Sequence, residues 1–117
     1  MDIDSAISKH AEWKLKFRSA ISKKDVMDAE TIKKDNCCDL GKWLHGEAKG
    51  KFGSLASYTE CLSKHAVFHN EAGKVAIAIN AQKYTEAEAM LNSGTAYTAA
   101  SNAVGTAIMR LKKEARL

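Results

Sequence analysis

An all-α fold is what this sequence predicts, and three observations carry the prediction. The 117 residues contain no proline, apolar positions recur at helical spacing almost throughout, and turn-prone residues separate the recurring stretches. With 45% hydrophobic residues the chain can bury one core, so a single domain over residues 1–117 is expected.

The elements follow in chain order. Over residues 4–23, Ile3, Ile7, His10, Phe17 and Ile21 share one side, with Asp4 placed to cap the first turn, so a helix is expected with His10 facing inward. The pattern lapses between 24 and 37, where Lys34-Asp35-Asn36 favours a loop. A short apolar stretch from Cys38 to Leu44, ending at Gly46, predicts a short helix, and the glycines and lysines of 46–53 predict a connection. From Ser54 a long helix is expected, because Leu55, Tyr58, Leu62, His65, His69, Ala72, Ala76 and Ile79 recur in steps of three and four. Asn80 and Ala81 mark a turn. The segment 82–114 repeats the spacing with Met90, Gly94, Tyr97, Ser101, Val104, Ile108 and Leu111, with a bend expected at Gly94, and its small residues from Gly94 to Gly105 admit a close neighbour. Three long helices and one short one predict an antiparallel four-helix bundle whose short helix carries Cys38.

Composition excludes several functions. A net charge of +4 comes from lysine pairs set beside acidic residues, without a basic stripe interleaved with aromatics, so nucleic-acid binding is not expected. No apolar run suits a membrane span and the start has no secretory signal, which makes the chain read as cytoplasmic. Cys37, Cys38 and Cys61 then point to metal or redox chemistry rather than to a disulfide framework.

His65 and His69 lie four residues apart in the middle of the apolar seam, so both rings project from one helical face and can meet a single metal. Cys38 opens the short helix, where free amides and the helix dipole favour a thiolate, and thiolate with imidazole favours zinc. With His10 from the first helix the set is His3Cys, a closed tetrahedral arrangement suited to a structural or sensory site, with one zinc per chain. Cys61, one turn before His65, remains an alternative ligand, a resolving thiol or a packing residue. Cys37 is read as a bystander, because a disulfide between neighbouring residues is strained, and His45 as an exposed residue near a helix end.

Enzyme readings fail on their motifs, so no catalytic activity is expected. His65 is followed by Ala66 and no carboxylate lies between the two histidines, unlike the His-Glu-x-x-His of zinc proteases. A di-iron bundle needs paired Glu-x-x-His motifs, which Glu60 and Glu71 do not complete, and Cys-x-x-Cys-His for haem is absent.

Three blocks carry a resemblance: His10-Ala11-Glu12-Trp13, Cys38-Asp39-Leu40-Gly41-Lys42-Trp43 and His65-Ala66-Val67-Phe68-His69, with 27 residues between His10 and Cys38 and 26 between Cys38 and His65. In this order and register they resemble the chemoreceptor zinc-binding domain family. The resemblance implies zinc ligands His10, Cys38, His65 and His69, with Trp13 and Trp43 packed around the site and Gly41 allowing the short helix to approach. It also implies a homodimer serving a chemoreceptor signalling or diguanylate cyclase module, in cis or in trans, as a sensory domain of bacterial signal transduction. Zinc or an oxidant acting on the thiolate is the expected signal, and a zinc-stabilised dimerisation module is the structural alternative.

Overall fold

The computed structural model describes residues 2–117, all of whose regular elements are helical. The chain runs α1 (Ile3–Ala11), α2 (Trp13–Lys23), α3 (Ala29–Ile32), α4 (Asp39–His45), α5 (Glu47–Phe52), α6 (Ala56–Asn80), α7 (Tyr84–Met90) and α8 (Ala96–Ala115). Together α1 and α2 form the first rod of a four-rod bundle. The short helices α3, α4 and α5 make a second, segmented rod, α6 is the third, and α7 with α8 is the fourth.

Side-chain contacts fix the directions. Ser57 and Glu60 near the start of α6 meet Glu114 and Arg110 near the end of α8, so these rods are antiparallel. Asp4 on α1 pairs with Lys112 at 2.7 Å, which sets α1 antiparallel to α8 as well. The second rod runs back along α6: Ile32 lies against His69, Cys38 against His65, and the Leu44 carbonyl accepts from Tyr58 Oη at 2.7 Å. The expected up-and-down bundle is therefore present.

Local chemistry explains where the rods break. Asp2 rather than Asp4 caps α1, accepting from the amides of Asp4 and Ser5 at 3.1 and 3.2 Å, and Glu12 interrupts the first rod between α1 and α2. Within the predicted loop 24–37, Asp28 accepts from the Thr31 amide and hydroxyl and caps the single turn α3. The 46–53 connection is helical too, because Gly46 (φ −112°, ψ −106°) ends α4 and lets α5 start at once, with Ala48 buried beneath it. The expected helix over 82–114 divides at Gly94, whose φ of +80° is left-handed, and Thr95 restarts it by accepting from the Thr98 amide. Asn80 grips Met27 in both directions, accepting from its amide at 2.8 Å and donating to its carbonyl at 2.7 Å, which ties the end of α6 to the chain leaving α2.

The core is one continuous cluster in which Phe17, Leu40, Leu44, Phe68, Ile79, Leu91, Ile108 and Leu111 are fully enclosed. At ~25 cal/mol per Å2 of buried apolar surface, such side chains each contribute on the order of 2 kcal/mol. Of the small residues on α8, Ala100 faces inward whereas Ala96 and Ala99 are exposed, so only part of that stretch serves helix approach. Among the described residues, no helix is long and apolar enough to cross a membrane.

Candidate metal centre

Three rods converge on one buried point. His10 comes from the last turn of α1, His65 and His69 from successive turns of α6, and Cys38 from the residue that caps α4. Their candidate ligand atoms all lie within 4.8 Å of one another, and among the described residues no carboxylate joins the group. His10, His65 and His69 are 5%, 0% and 2% exposed, and Cys38 is half-buried.

Two close backbone contacts bring the second rod near enough. A Cβ at Gly41 would stand 1.9 Å from the Asp35 carbonyl oxygen, so only glycine lets α4 lie against the preceding strand of chain. At Gly73 a Cβ would stand 2.5 Å from Lys33 Cβ, and its absence seats the end of α3 against α6. Phe68 packs against the rings of both His10 and His69, with centroids 5.3 and 5.4 Å away and edge-on geometry.

Hydrogen bonding sets the ring tautomers. His10 Nδ1 lies 2.8 Å from the Ala6 carbonyl and His69 Nδ1 lies 2.8 Å from the Ile32 carbonyl. A carbonyl only accepts, so both Nδ1 atoms carry hydrogen. Burial holds all three imidazoles below their ordinary pKa and drives His65 to about 2, so the rings are neutral and Nε2 of His10 and His69 carries a lone pair. Those lone pairs point at His65 Nε2 from 3.2 and 3.1 Å. One N–H at most could lie among the three nitrogens, leaving facing lone pairs in a site without water-like dielectric. A central cation satisfies all of them.

Five of the six separations lie close to those of a zinc site, and the sixth, between His10 and His69, is within 4.8 Å. Zinc–nitrogen bonds of about 2.0–2.1 Å and a zinc–sulfur bond of about 2.3 Å at tetrahedral angles place nitrogens about 3.3 Å apart and sulfur about 3.6 Å from each nitrogen. Cys38 Sγ stands 3.2, 3.5 and 4.0 Å from Nε2 of His65, His69 and His10. His10 and His69 also have the carbonyl acceptors that typically orient metal-bound imidazoles, whereas His65 Nδ1 is buried with no protein partner.

For Cys38 the structure modifies the electrostatic expectation. Its Sγ accepts from the Gly41 amide at 3.3 Å, as a helix-capping thiolate should, but burial outweighs the amides and pushes the thiol pKa up. The helix start alone does not ionise it; a cation held among the four side chains would supply the remaining stabilisation.

The other candidates lie apart. Cys61 is fully enclosed in the core, and burial raises its thiol to about 12. Its role is packing. Cys37 is half-buried, with its Sγ 3.5 Å from Asn36 Oδ1. His45 pairs with Asp35 at 3.0 Å, bridging the end of α4 to the chain before it. Glu60 and Glu71 are engaged with Arg110 and Lys74, away from the histidines. Trp13 stacks on Phe17 and borders the pocket over His10 and Cys38, as expected of a residue near the site, but Trp43 packs on Phe52 at the α4–α5 joint instead. The sequence pattern missed Ile32 and Ala6, whose backbone carbonyls orient two of the rings, because a carbonyl acceptor leaves no trace in residue type.

Neither the curated proteins nor the solved structures show a significant match to this chain. The family described as the chemoreceptor zinc-binding domain matches residues 10–76, more than half of the chain and a span that contains all four converging side chains. On that match, and on a His3Cys group able to hold one zinc ion, the chain belongs to the chemoreceptor zinc-binding domain family.

Proposed function

We propose that His10, Cys38, His65 and His69 are the ligands of one zinc ion per chain, and that residues 1–117 form a single sensory domain of bacterial signal transduction. The observation that supports this most is the ring chemistry: neutral imidazoles, two with their Nδ1 hydrogens committed to carbonyls, aim Nε2 lone pairs at a point shared with a thiol. In this reading the domain acts in the cytoplasm as a homodimer and regulates a chemoreceptor signalling or diguanylate cyclase module, in cis or in trans. It has no catalytic role of its own.

Zinc supplies a positive charge that stabilises the Cys38 thiolate while leaving its sulfur electron-rich. The chain does the rest. Phe68 and the enclosed core keep water from His65 and His69, while a pocket of about 490 Å3 bordered by His10, Trp13, Lys16 and Cys38 leaves the sulfur side approachable. Hypochlorous acid reaching Cys38 converts it to sulfenic acid, with the sulfur losing two electrons and the chlorine leaving as chloride. A sulfenic acid is a poorer donor than a thiolate, so the Cys38 end of α4 is released while α6 and α8 stay packed. Because the second rod consists of short helices held by contacts to α6, it is the part of the bundle that responds.

Titrating the metal-free protein with zinc in the presence of a chromogenic chelator tests this. One zinc per chain, lost from Cys38→Ser and retained by Cys61→Ser, is the expected result. Equal affinity and equal oxidant response in Cys38→Ser and the unmodified protein would defeat the proposal; a site that binds zinc but releases none on oxidation would leave only a structural role.

A further inference from the structure

A bridge between the neighbouring residues Cys37 and Cys38 is strained, but the surroundings of Cys37 give it a use. Both Cys37 and Cys38 border the open pocket beside His10, and both are half-buried rather than enclosed. The remaining thiol, Cys61, is sealed in the core on the inner face of α6 and does not line that pocket. An oxidised Cys38 therefore has one thiol of its own chain beside it.

The amides of this segment are also uncommitted to helix. Cys37 and Cys38 precede α4 in a bend, and among the described residues no backbone amide from Asp35 to Cys38 donates to another backbone carbonyl. Cys37 Sγ has only the long 3.5 Å contact to Asn36 Oδ1 to give up. Inside a helix the eight-membered ring of a neighbouring-residue disulfide would break the hydrogen-bond ladder; here the first ladder bond, from the Lys42 amide to the Cys38 carbonyl at 2.9 Å, lies outside the ring.

We propose that Cys37 is the resolving thiol of the metal centre, closing a disulfide with Cys38 after Cys38 has been oxidised. This rests on the reading of Cys38 as an oxidant-responsive thiolate. The first step is the two-electron oxidation of Cys38 by hypochlorous acid or a peroxide, giving the sulfenic acid and chloride or water. In the second, Cys37 sulfur attacks Cys38 sulfur, the sulfur–oxygen bond breaks, and the hydroxyl leaves as water with the proton of Cys37. No further oxidant is consumed. The Cα atoms of neighbouring residues are about 3.8 Å apart, below the usual disulfide range of about 4.4–6.8 Å, so the ring is strained and easily reduced. That strain makes the switch reversible and spares Cys38 from irreversible sulfinic acid. A disulfide sulfur carries no thiolate charge, so closure withdraws the Cys38 donor and its acceptance from the Gly41 amide together.

The test treats the zinc-loaded full chain, Cys37→Ser and Cys38→Ser with limiting hypochlorous acid, traps sulfenic acid with dimedone, and follows peptide masses and released zinc. The unmodified protein is expected to yield a Cys37–Cys38 peptide lighter by two hydrogens, no dimedone adduct, and zinc rebinding after a phosphine reductant. Cys37→Ser should carry the adduct on Cys38 and, with excess oxidant, a sulfinic acid that no longer rebinds zinc. Equal adduct in the unmodified protein and Cys37→Ser, or a disulfide from Cys38 to Cys61 or to a second chain, would overturn the assignment of Cys37. Unoxidised Cys38 in Cys37→Ser would instead overturn the oxidant reading beneath it, and this assignment with it.

Discussion

Replacing Gly41 with alanine should disable the metal centre without touching a donor. The added Cβ would stand 1.9 Å from the Asp35 carbonyl oxygen, 2.8 Å from its carbon and 3.1 Å from Asn36 Cα, all backbone atoms that no rotamer change can move. Ordinary van der Waals contact begins near 3.4 Å, so α4 and the preceding chain must part by about 1.5 Å. Metal–ligand distances tolerate roughly 0.2 Å, several times less, and Cys38 sits three residues from the point of collision. Overpacking of this kind costs about 1–3 kcal/mol, against roughly 1 kcal/mol gained by placing alanine rather than glycine in a helix. Because no rotamer change relieves an overlap with backbone, the cost lies at the upper end of that range, and a net loss of about 2 kcal/mol at the site lowers zinc affinity by roughly 30-fold. Gly50→Ala is the matched control, because nothing lies within 4 Å of its added Cβ and α5 should gain up to about 1 kcal/mol. Chelator competition and thermal melts of both variants provide the readout. An affinity for Gly41→Ala equal to that of the unmodified protein would refute the claim that close approach of α4 places the sulfur.

Three further outcomes follow from the same geometry. In the metal-free protein, burial lowers the pKa of His10, His65 and His69 from an ordinary 6.5, to about 2 for His65, so below pH 6.5 the unfolded chain binds more protons. Denaturant titrations should therefore show stability level above pH 6.5 and falling as pH drops towards the folded values; a flat profile from pH 7 to 4 would contradict neutral buried rings. Gly73→Ala, whose Cβ would stand 2.5 Å from Lys33 Cβ and 3.1 Å from Lys33 Cα, should push α3 from α6 and weaken zinc binding less than Gly41→Ala, since its overlap is smaller than the 1.9 Å approach at Gly41. Glu114→Ala removes the carboxylate that accepts from the Ser57 amide and hydroxyl at 3.3 and 2.9 Å, serving the uncapped start of α6 from the end of α8. It should cost about 1 kcal/mol in a thermal or denaturant melt and leave zinc stoichiometry unchanged.

Much of the bundle was legible because its long rods carry continuous seams. The spacing from Tyr58 to Ile79 places every one of its inward positions beyond Leu62 in the core, both histidines included. In the second rod only α4 was legible, since α3 and α5 are too short for periodicity and α5 reads Glu-Ala-Lys-Gly-Lys-Phe, a poor helix outside its packing against α6. The break at Gly94 was visible as a glycine but not as a left-handed turn, because Thr95 must cap the next helix before the division is favoured. At the candidate metal centre, type and spacing single out the four side chains that the fold brings together. What escaped was their support, namely the carbonyls of Ala6 and Ile32 and the misplaced role of Trp43, which depend on how the backbone arrives rather than on which residue occupies a position.

X-ray absorption at the zinc edge on the purified full chain tests the central claim most directly. The account predicts one zinc per chain with three nitrogen neighbours near 2.0–2.1 Å and one sulfur near 2.3 Å, the sulfur shell vanishing in Cys38→Ser. A shell of oxygens, a sulfur that persists in Cys38→Ser, or two irons in place of zinc would contradict it.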